Sequence, residues 1–326
     1  MQSEPTLHRL ESLSPRAFQH PADRAATAAL GQVPGLDKAI RRLTEFKYER
    51  ALRQSLLANA VEVGPRQLPE VWEVYERALR TLDMPETYGL YVTQYPLANA
   101  FTLGTRKPVI VLSSQLATIL EPDELWAVLG HELGHILCEH VGKQTALLLL
   151  LQLSGGLPVL PGLPLRAVRS ALLEWSRAAE LSADRAGALA SRDALASCRA
   201  LMVLAAGLPS ARLDLDAFLK QASEYEEWDS GWDRVLRLLA ERQSTHPFSV
   251  RRVAALMEWV RSGEYDRILG GHYAKRGADD LRADAGAAYE HYVNRFWSIV
   301  QEAGRGTQEA RAKVGDWLQR REDDEG

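Results

Sequence analysis

The stretch His131-Glu132-Leu133-Gly134-His135 lies inside an apolar run from Leu125 to Val141 and decides how the rest of the chain is interpreted. On an α-helix, the two histidines are one turn apart on the same face, where their ring nitrogens can bind one Zn²⁺. Glu132 lies about 100° further round the helix and reaches a water in the open position of the metal. Two histidines are an incomplete zinc site, so a third ligand must come from elsewhere. The alternative is a helix with two ordinary histidines.

The composition restricts the class of protein and its partners. The chain has 326 residues, 46% apolar and 25% charged, which is enough for a sizeable core in one or two domains. A net charge of −4 without a long basic run argues against nucleic acid as a partner. Two cysteines, Cys138 and Cys198, are too few for a disulfide framework or a paired-cysteine zinc site. Residues 1–10 lack the apolar core of a signal peptide, so we expect a cytoplasmic location.

Apolar residues recur at helical spacing through most of the chain, but residues 88–114 have a different period. Short β-branched or aromatic runs with turn residues between them predict strands at Gly89–Thr93, Ala100–Gly104 and Pro108–Ser113. Helices are predicted on both sides, including one that begins at Pro69. The predicted fold class is therefore mainly α with a small antiparallel β-sheet (α+β).

No repeat or low-complexity linker divides the chain, so domain boundaries are placed where the pattern changes. We predict an irregular N-terminal arm over residues 1–35, with one short helix near Ala22–Leu30. A single catalytic domain is expected over residues 36–260. A helical C-terminal extension with an acidic tail is expected over residues 261–326.

The helix that carries the two histidines is expected to begin at Glu121-Pro122-Asp123-Glu124 and to end at Gly142, a plausible C-cap. On so long a helix, His140 would point about 140° away from the metal face, which excludes it as a ligand. Gly130 and Gly134 each cost the helix about 1 kcal/mol relative to alanine. Another backbone is therefore expected to pack closely against them.

Residues 145–165 are the most apolar stretch of the chain and contain five consecutive leucines. The stretch is long enough to cross a bilayer, but Gly155-Gly156 and three prolines interrupt a regular helix in its second half. A hairpin that is buried or makes a peripheral membrane contact is therefore favoured over a membrane span. Membrane association stays open beside the cytoplasmic location.

A second long helix, predicted from Leu165 to about Ala190, carries Glu180 and Asp184 on one face. Two acids at this spacing are ordinary on a helix surface. Because the two-histidine site is incomplete, a second interpretation is that Glu180 is the third metal ligand and that Asp184 orients a ligand histidine.

Four separated segments, in this order, resemble the gluzincin zinc metallopeptidases of the HtpX and CAAX-prenyl-endopeptidase family. They are Asn99-Ala100-Phe101 with Gly104, Val128-Leu129-Gly130-His131-Glu132-Leu133-Gly134-His135, Ser176-Arg177-Ala178-Ala179-Glu180 with Ala183-Asp184, and Thr245-His246-Pro247 with Arg252-Val253. The resemblance covers roughly residues 85–260 and implies a zincin-like metallopeptidase domain. The chain lacks the several membrane spans of some members, so a prenyl-protein substrate does not follow.

The resemblance implies a zinc endopeptidase with one Zn²⁺ per chain. His131, His135 and Glu180 are then the metal ligands, and Glu132 is the general base. Asp184 is then the hydrogen-bond acceptor that orients a ligand histidine. The implied reaction is hydrolysis of a peptide bond by a metal-activated water.

The resemblance also implies residues that contact the substrate. His246 and Arg252 are expected to face the scissile carbonyl and to stabilise the oxyanion, although His246 is equally well explained as a helix-entry residue before a proline. The strand with Asn99, Ala100 and Phe101 is expected to hold the substrate backbone as an added strand. The expected substrate is a peptide or an unfolded protein, as in protein quality control.

Two other functions are compatible with the sequence. In one, the chain is a non-catalytic scaffold or chaperone in which zinc only joins two helices. An intact Glu132 argues against this function, because a structural zinc site needs no base. In the other, the chain is a zinc hydrolase that acts on a non-peptide amide.

Overall fold

The structure is a computed structural model that describes residues 9–32, 40, 46–95, 97–152, 165–227 and 248–277. Predictions for the remaining residues, including the position of His246, lie outside this part of the chain. The elements of the described residues are, in chain order, α1 (Pro21–Gly31), α2 (Phe46–Asn59), β1 (Ala60–Glu62), α3 (Pro69–Thr81), β2 (Gly89–Thr93), β3 (Ala100–Leu103), β4 (Val109–Ser113), α4 (Ser114–Ile119), α5 (Pro122–Leu137), α6 (Val141–Gln152), α7 (Leu165–Ser191), α8 (Ala194–Ala206), α9 (Leu215–Glu227), α10 (Ser249–Arg261) and α11 (Glu264–Leu269). The predicted mainly α fold with a small sheet is confirmed.

The four strands form one mixed sheet in the order β1-β2-β4-β3. β1 pairs antiparallel with β2, and β3 pairs antiparallel with β4, but β2 and β4 run parallel, with Tyr91 opposite Val111. The sequence predicts β2, β3 and β4 but not β1. The predicted antiparallel pairing is correct for β3 with β4 and wrong for the centre of the sheet, because β3 lies outside β4 instead of between β2 and β4. As a result, β3 is an edge strand of the described sheet and lies against α5.

The main core lies between the sheet and the helices that pack around α5. Helix α3 begins with Pro69 at its first turn, and its apolar face buries Val71, Val74 and Tyr75 against α5. Helix α5 begins where predicted: the backbone N–H of Glu121 donates to the Glu124 carboxylate at 3.0 Å, which caps the first turn. The core thus holds α5 on several sides.

Helices α5 and α7 pack against each other along a line of glycine and alanine. A methyl group at Gly130 would lie 2.3 Å from Cβ of Ala190, and one at Gly134 would lie 2.5 Å from Cβ of Ala186. At such distances even a methyl group would force one of the two helices to shift. The expected close backbone approach is confirmed, and the approaching backbone belongs to α7.

Helix α5 ends at Leu137, so the prediction that it continues to Gly142 is wrong. Glu139 adopts φ = +56°, and the backbone N–H of His140 donates to the carbonyl oxygen of His135 at 2.9 Å. This is a Schellman ending, with glutamate at the left-handed position where glycine is usual. The turn brings the His140 ring back towards His135.

The N-terminal residues pack onto the body of the protein. Helix α1 confirms the predicted short helix near Ala22–Leu30, and it packs against α7. With α6 and α7 it forms a second apolar core that includes Leu30, Leu147, Leu172 and Trp175. The domain boundaries near residues 35 and 260 stay predictions.

Helix α6 contains the first part of the apolar stretch 145–165. Leu147 and Leu150 are buried in the second core, and the neighbouring leucines are half-buried. None of the helices in the described residues is long and apolar enough to cross a membrane. Residues 153–164, which carry the predicted reversal, lie outside the described part.

Candidate metal centre

Three side chains from α5 and α7 converge on one point. The Nε2 atoms of His131 and His135 lie 3.1 Å apart. One oxygen of Glu180 lies 3.4 Å from the first of these nitrogens, and its other oxygen lies 3.4 Å from the second. Zinc–nitrogen bonds of about 2.0–2.1 Å in a tetrahedron place neighbouring ligand atoms roughly 3.3–3.4 Å apart. The three groups therefore lie close enough together to hold a single metal ion.

Asp184 contacts His131 at its other ring nitrogen. The Oδ1 atom of Asp184 lies 3.0 Å from Nδ1 of His131, which leaves Nε2 directed at the other ligands. Arg252 of α10 donates to both oxygens of Asp184, at 2.6 and 2.8 Å. Burial alone would raise the pKa of Asp184, but the Arg252 charge and these hydrogen bonds hold that pKa below its ordinary value. Asp184 is therefore an ionised acceptor for the histidine.

His140 contacts Nδ1 of His135, as Asp184 contacts Nδ1 of His131. The Nδ1 atoms of the two rings lie 3.1 Å apart, and Nε2 of His140 lies 3.0 Å from Oδ2 of Asp23 in α1. The expectation that His140 points away from the metal face is wrong, because α5 ends before this residue. Sequence reasoning does not identify Asp23 at all, since it lies 117 residues from its partner and in no recognised motif.

The two ligand histidines differ in how strongly they bind a proton. Burial lowers the pKa of His131, but hydrogen bonds to Asp184 and Glu180 outweigh it and raise that pKa to about 9. For His135, burial dominates and lowers the pKa to about 4. A metal ion and a proton compete for the electron pair of each ring, so metal binding at His131 displaces the proton that its carboxylate neighbours favour.

Glu132 lies beside the ligands and is buried. Burial raises its pKa above the ordinary value for glutamate, although His131 and a hydrogen bond from Thr102 act in the opposite direction. Oγ1 of Thr102, in β3, donates to Oε2 of Glu132 at 2.7 Å. A carboxylate with a raised pKa is suited to accept a proton from water and to give it up again. Strand periodicity predicts the strand but does not show that Thr102 meets Glu132.

The described residues surround a cleft of about 780 Å³ that includes the converging ligands and Glu132. Its walls are mostly apolar and include Leu56, Leu147, Leu148, Leu149, Leu201 and Leu204. Asn99, Ala100 and Phe101 line the same cleft, as the predicted substrate strand requires. Arg252 also lines it, although the structure directs its guanidinium at Asp184 and Glu180. His246, the remaining predicted site residue, lies outside the described residues.

Comparison with known proteins adds the family. Residues 65–260 match the model of peptidase family M48. The chain belongs to peptidase family M48. It is 36% identical to the chloroplastic plastoglobule-localized metallopeptidase 48 of Arabidopsis thaliana over 259 residues, 77% of this chain and 74% of the relative. It is 30% identical to a protease HtpX homolog of Ralstonia pickettii (strain 12J) over 237 residues, 64% of this chain and 79% of the relative. No solved structure matches the chain significantly.

Membership in M48 confirms the predicted relationship to HtpX-type proteases and the predicted enzyme class. As a member of M48, the protein is a metallopeptidase, and its cluster of His131, His135 and Glu180 resembles a zinc site. Peptides are therefore its class of substrate. Hydrolysis of peptides is favoured over the scaffold and the non-peptide hydrolase.

Proposed function

We propose that the chain is a zinc-dependent endopeptidase with one Zn²⁺ bound by His131, His135 and Glu180. The observation that carries the proposal is the convergence of these three groups, with both histidine nitrogens within 3.4 Å of the Glu180 carboxylate. Two nitrogens and a carboxylate leave a fourth coordination position, as catalytic zinc sites do.

The side chains around the site supply the steps of hydrolysis. When bound, zinc polarises the scissile carbonyl and makes water more acidic. Glu132 accepts a proton as the water oxygen adds to the carbonyl carbon, and it transfers this proton to the leaving amine when the C–N bond breaks. Thr102 holds one oxygen of Glu132 and leaves the other for the water. Asp184 keeps the hydrogen of His131 on Nδ1, so that Nε2 has a free electron pair.

The proposed substrate is an unfolded protein bound in an extended conformation. The position of β3 at the edge of the described sheet, with Asn99, Ala100 and Phe101 in the cleft wall, supports pairing of the substrate backbone as an added strand. Apolar walls favour apolar side chains on either side of the scissile bond. Unfolded proteins expose such side chains, so protein quality control is the proposed setting. A contact of His246 or Arg252 with the scissile carbonyl is part of the same proposal.

The cytoplasmic location and a peripheral membrane contact through residues 145–165 are also proposals. The apolar sequence supports the membrane contact, whereas the burial of Leu147 and Leu150 leaves fewer leucines for it. Cell fractionation tests the membrane contact. Release by carbonate washing supports peripheral contact, and release only by detergent contradicts it.

The test of the proposed function compares three forms of the full chain in a casein degradation assay with parallel zinc analysis. The wild type is expected to degrade casein with one zinc per chain. Glu132→Gln is expected to keep the zinc and lose turnover, because only the proton acceptor is removed. Glu73→Gln, the same substitution at an exposed position on α3, is the matched control and should behave as the wild type. Near-normal degradation by Glu132→Gln would refute the role of this residue.

A further inference from the structure

A chain of hydrogen bonds joins the ligand His135 to a carboxylate in the N-terminal helix. It runs from His135 through His140, at 3.1 Å, to Asp23, at 3.0 Å. Asp23 lies outside residues 65–260, the segment that matches the family. We propose that His140 and Asp23 are positioning residues that hold His135 in the orientation and tautomer that bind the metal. This inference rests on the proposed zinc site.

Binding of a metal at Nε2 of His135 determines where each hydrogen in this chain lies. Nε2 must present its electron pair, so the ring hydrogen is on Nδ1 and is donated to Nδ1 of His140. The hydrogen of His140 is then on Nε2, from which it is donated to Oδ2 of Asp23. Every nitrogen has one role, and the chain ends on a negative charge that strengthens His135 as a ligand.

The surroundings of Asp23 hold its carboxylate in place. The residue is fully buried, and besides His140 it accepts hydrogen bonds from Gln19 at 2.9 Å, Thr27 at 3.1 Å and Ser182 at 2.6 Å. Ser182 belongs to α7, the helix that also carries the third proposed metal ligand. The carboxylate is therefore fixed relative to α7 and to His140, which follows the end of α5.

Cys138 lies near the same two residues, and a thiol, an imidazole and a carboxylate together are able to bind a metal. The hydrogen bonds to Asp23 already occupy both of its oxygens, and the Nδ1 atom of His140 faces His135. These contacts favour a hydrogen-bonded chain over a second metal site. A second bound zinc per chain would overturn this assignment.

Two neighbours suggest competing explanations for His140. Its ring packs edge-on against Trp175, with 5.5 Å between ring centres. One competing explanation is therefore that the His140 ring only fills space in the core. The amide nitrogen of Gln144 lies 3.2 Å from Nδ1 of His135, and because it is a donor it becomes the partner only if this Nδ1 carries no hydrogen. A variant that keeps the ring and one that keeps the acceptor separate these explanations.

The experiment measures the zinc dissociation constant of the full chain by competition with a chromophoric chelator. His140→Phe keeps the ring but has no acceptor, and it is expected to weaken zinc binding about 10–100-fold. His140→Gln loses the ring but keeps an acceptor, and it is expected to bind zinc more tightly than His140→Phe. If His140 only fills space, the order of the two variants is reversed, and the proposal is overturned.

Asp23→Asn tests the chain from its other end and is expected to weaken zinc binding about tenfold. The control is Asp83→Asn, which weakens the hydrogen bond from the backbone N–H of Ser12. This contact also holds the N-terminal segment but lies away from the ligands. Asp83→Asn should lower thermal stability and leave zinc affinity unchanged. Equal zinc affinities for Asp23→Asn and Asp83→Asn would overturn the positioning role alone. A wild-type chain that binds no zinc would overturn the proposed function as well.

Discussion

The Nδ1 atom of His131 lies 3.0 Å from Oδ1 of Asp184, a carboxylate that Arg252 holds through two further hydrogen bonds. Three helices, α5, α7 and α10, thereby meet at one ligand. Because the acceptor is itself fixed, the His131 ring has little freedom to rotate away from the metal position.

Asp184→Asn is expected to weaken zinc binding about 10–100-fold, because asparagine must present an N–H group to either His131 or Arg252. Glu180→Ala is expected to have a larger effect, since a proposed ligand is removed. Zinc content after dialysis at stepped free zinc concentrations measures both. Exposed Asp216→Asn, on α9, is the control and should bind as the wild type. Equally small effects at Glu180 and Asp184 would place the third ligand elsewhere.

Thr102→Val should lower kcat about tenfold, because the loss of one hydrogen bond to a carboxylate is worth about 1.5 kcal/mol and leaves Glu132 less well oriented. Zinc content and KM should change little. Thr102→Ser keeps the hydroxyl and serves as the control. Steady-state kinetics on a fluorogenic peptide compare the variants, and a serine variant as slow as the valine variant would exclude the hydrogen bond as the cause.

The sequence predicts those parts of the site that depend on local spacing. His131 and His135 lie one turn apart on one helix, and Glu180 and Asp184 lie one turn apart on another, so helical periodicity is sufficient to place each pair on one face. Three of the strands, β2, β3 and β4, are equally local, since their composition predicts them within one residue of the observed bounds, whereas the short strand β1 is not predicted.

Relationships between distant segments are not predicted from the sequence. The parallel pairing of β2 with β4 depends on where β3 lies, and periodicity carries no information on strand order. The contact of Asp23 with His140 depends on an ending of α5 that no glycine or proline marks, because Glu139 takes the left-handed conformation. Arg252 shows the same limit: its place in the cleft follows from the family motif, but its pairing with Asp184 does not.

Gly134→Ala should destabilise the protein by about 1–3 kcal/mol, because the added methyl group would lie 2.5 Å from Cβ of Ala186 and must push α7 away. Zinc affinity should fall as well, since α7 carries Glu180. Gly142→Ala is the matched control, with its nearest neighbour, Thr105, at an ordinary 3.8 Å. Denaturant unfolding and zinc titration measure both effects. Equal stabilities of the two variants would contradict the proposed role of the close helix packing.

Asp83 is expected to make part of the stability depend on pH. It accepts hydrogen bonds from Arg9 and from the backbone N–H of Ser12, both at 2.6 Å, and from Arg276 at 3.2 Å. Burial would raise its pKa, but these donors and the charges of Arg9 and Arg276 hold the pKa below its ordinary value. A lowered pKa in the folded state contributes stability above the unfolded pKa of about 3.9, and this stability is lost as the pH falls through the folded pKa.

The measurement compares Tm for the wild type and Asp83→Asn from pH 7 down to pH 3. The wild type should be the more stable at pH 7, and its advantage should shrink below about pH 4. A difference that is the same at every pH would mean that the charge of Asp83 contributes nothing.

The contacts around the two ligand histidines draw on residues from Asp23 to Arg252. The chain is synthesised from its N-terminus, so α5 leaves the ribosome before Glu180 of α7 and Arg252 of α10. A nascent chain that ends short of these helices has both histidines but neither the proposed third ligand nor the arginine that fixes Asp184. The proposed site is therefore complete only after Arg252, residue 252 of 326, has left the ribosome.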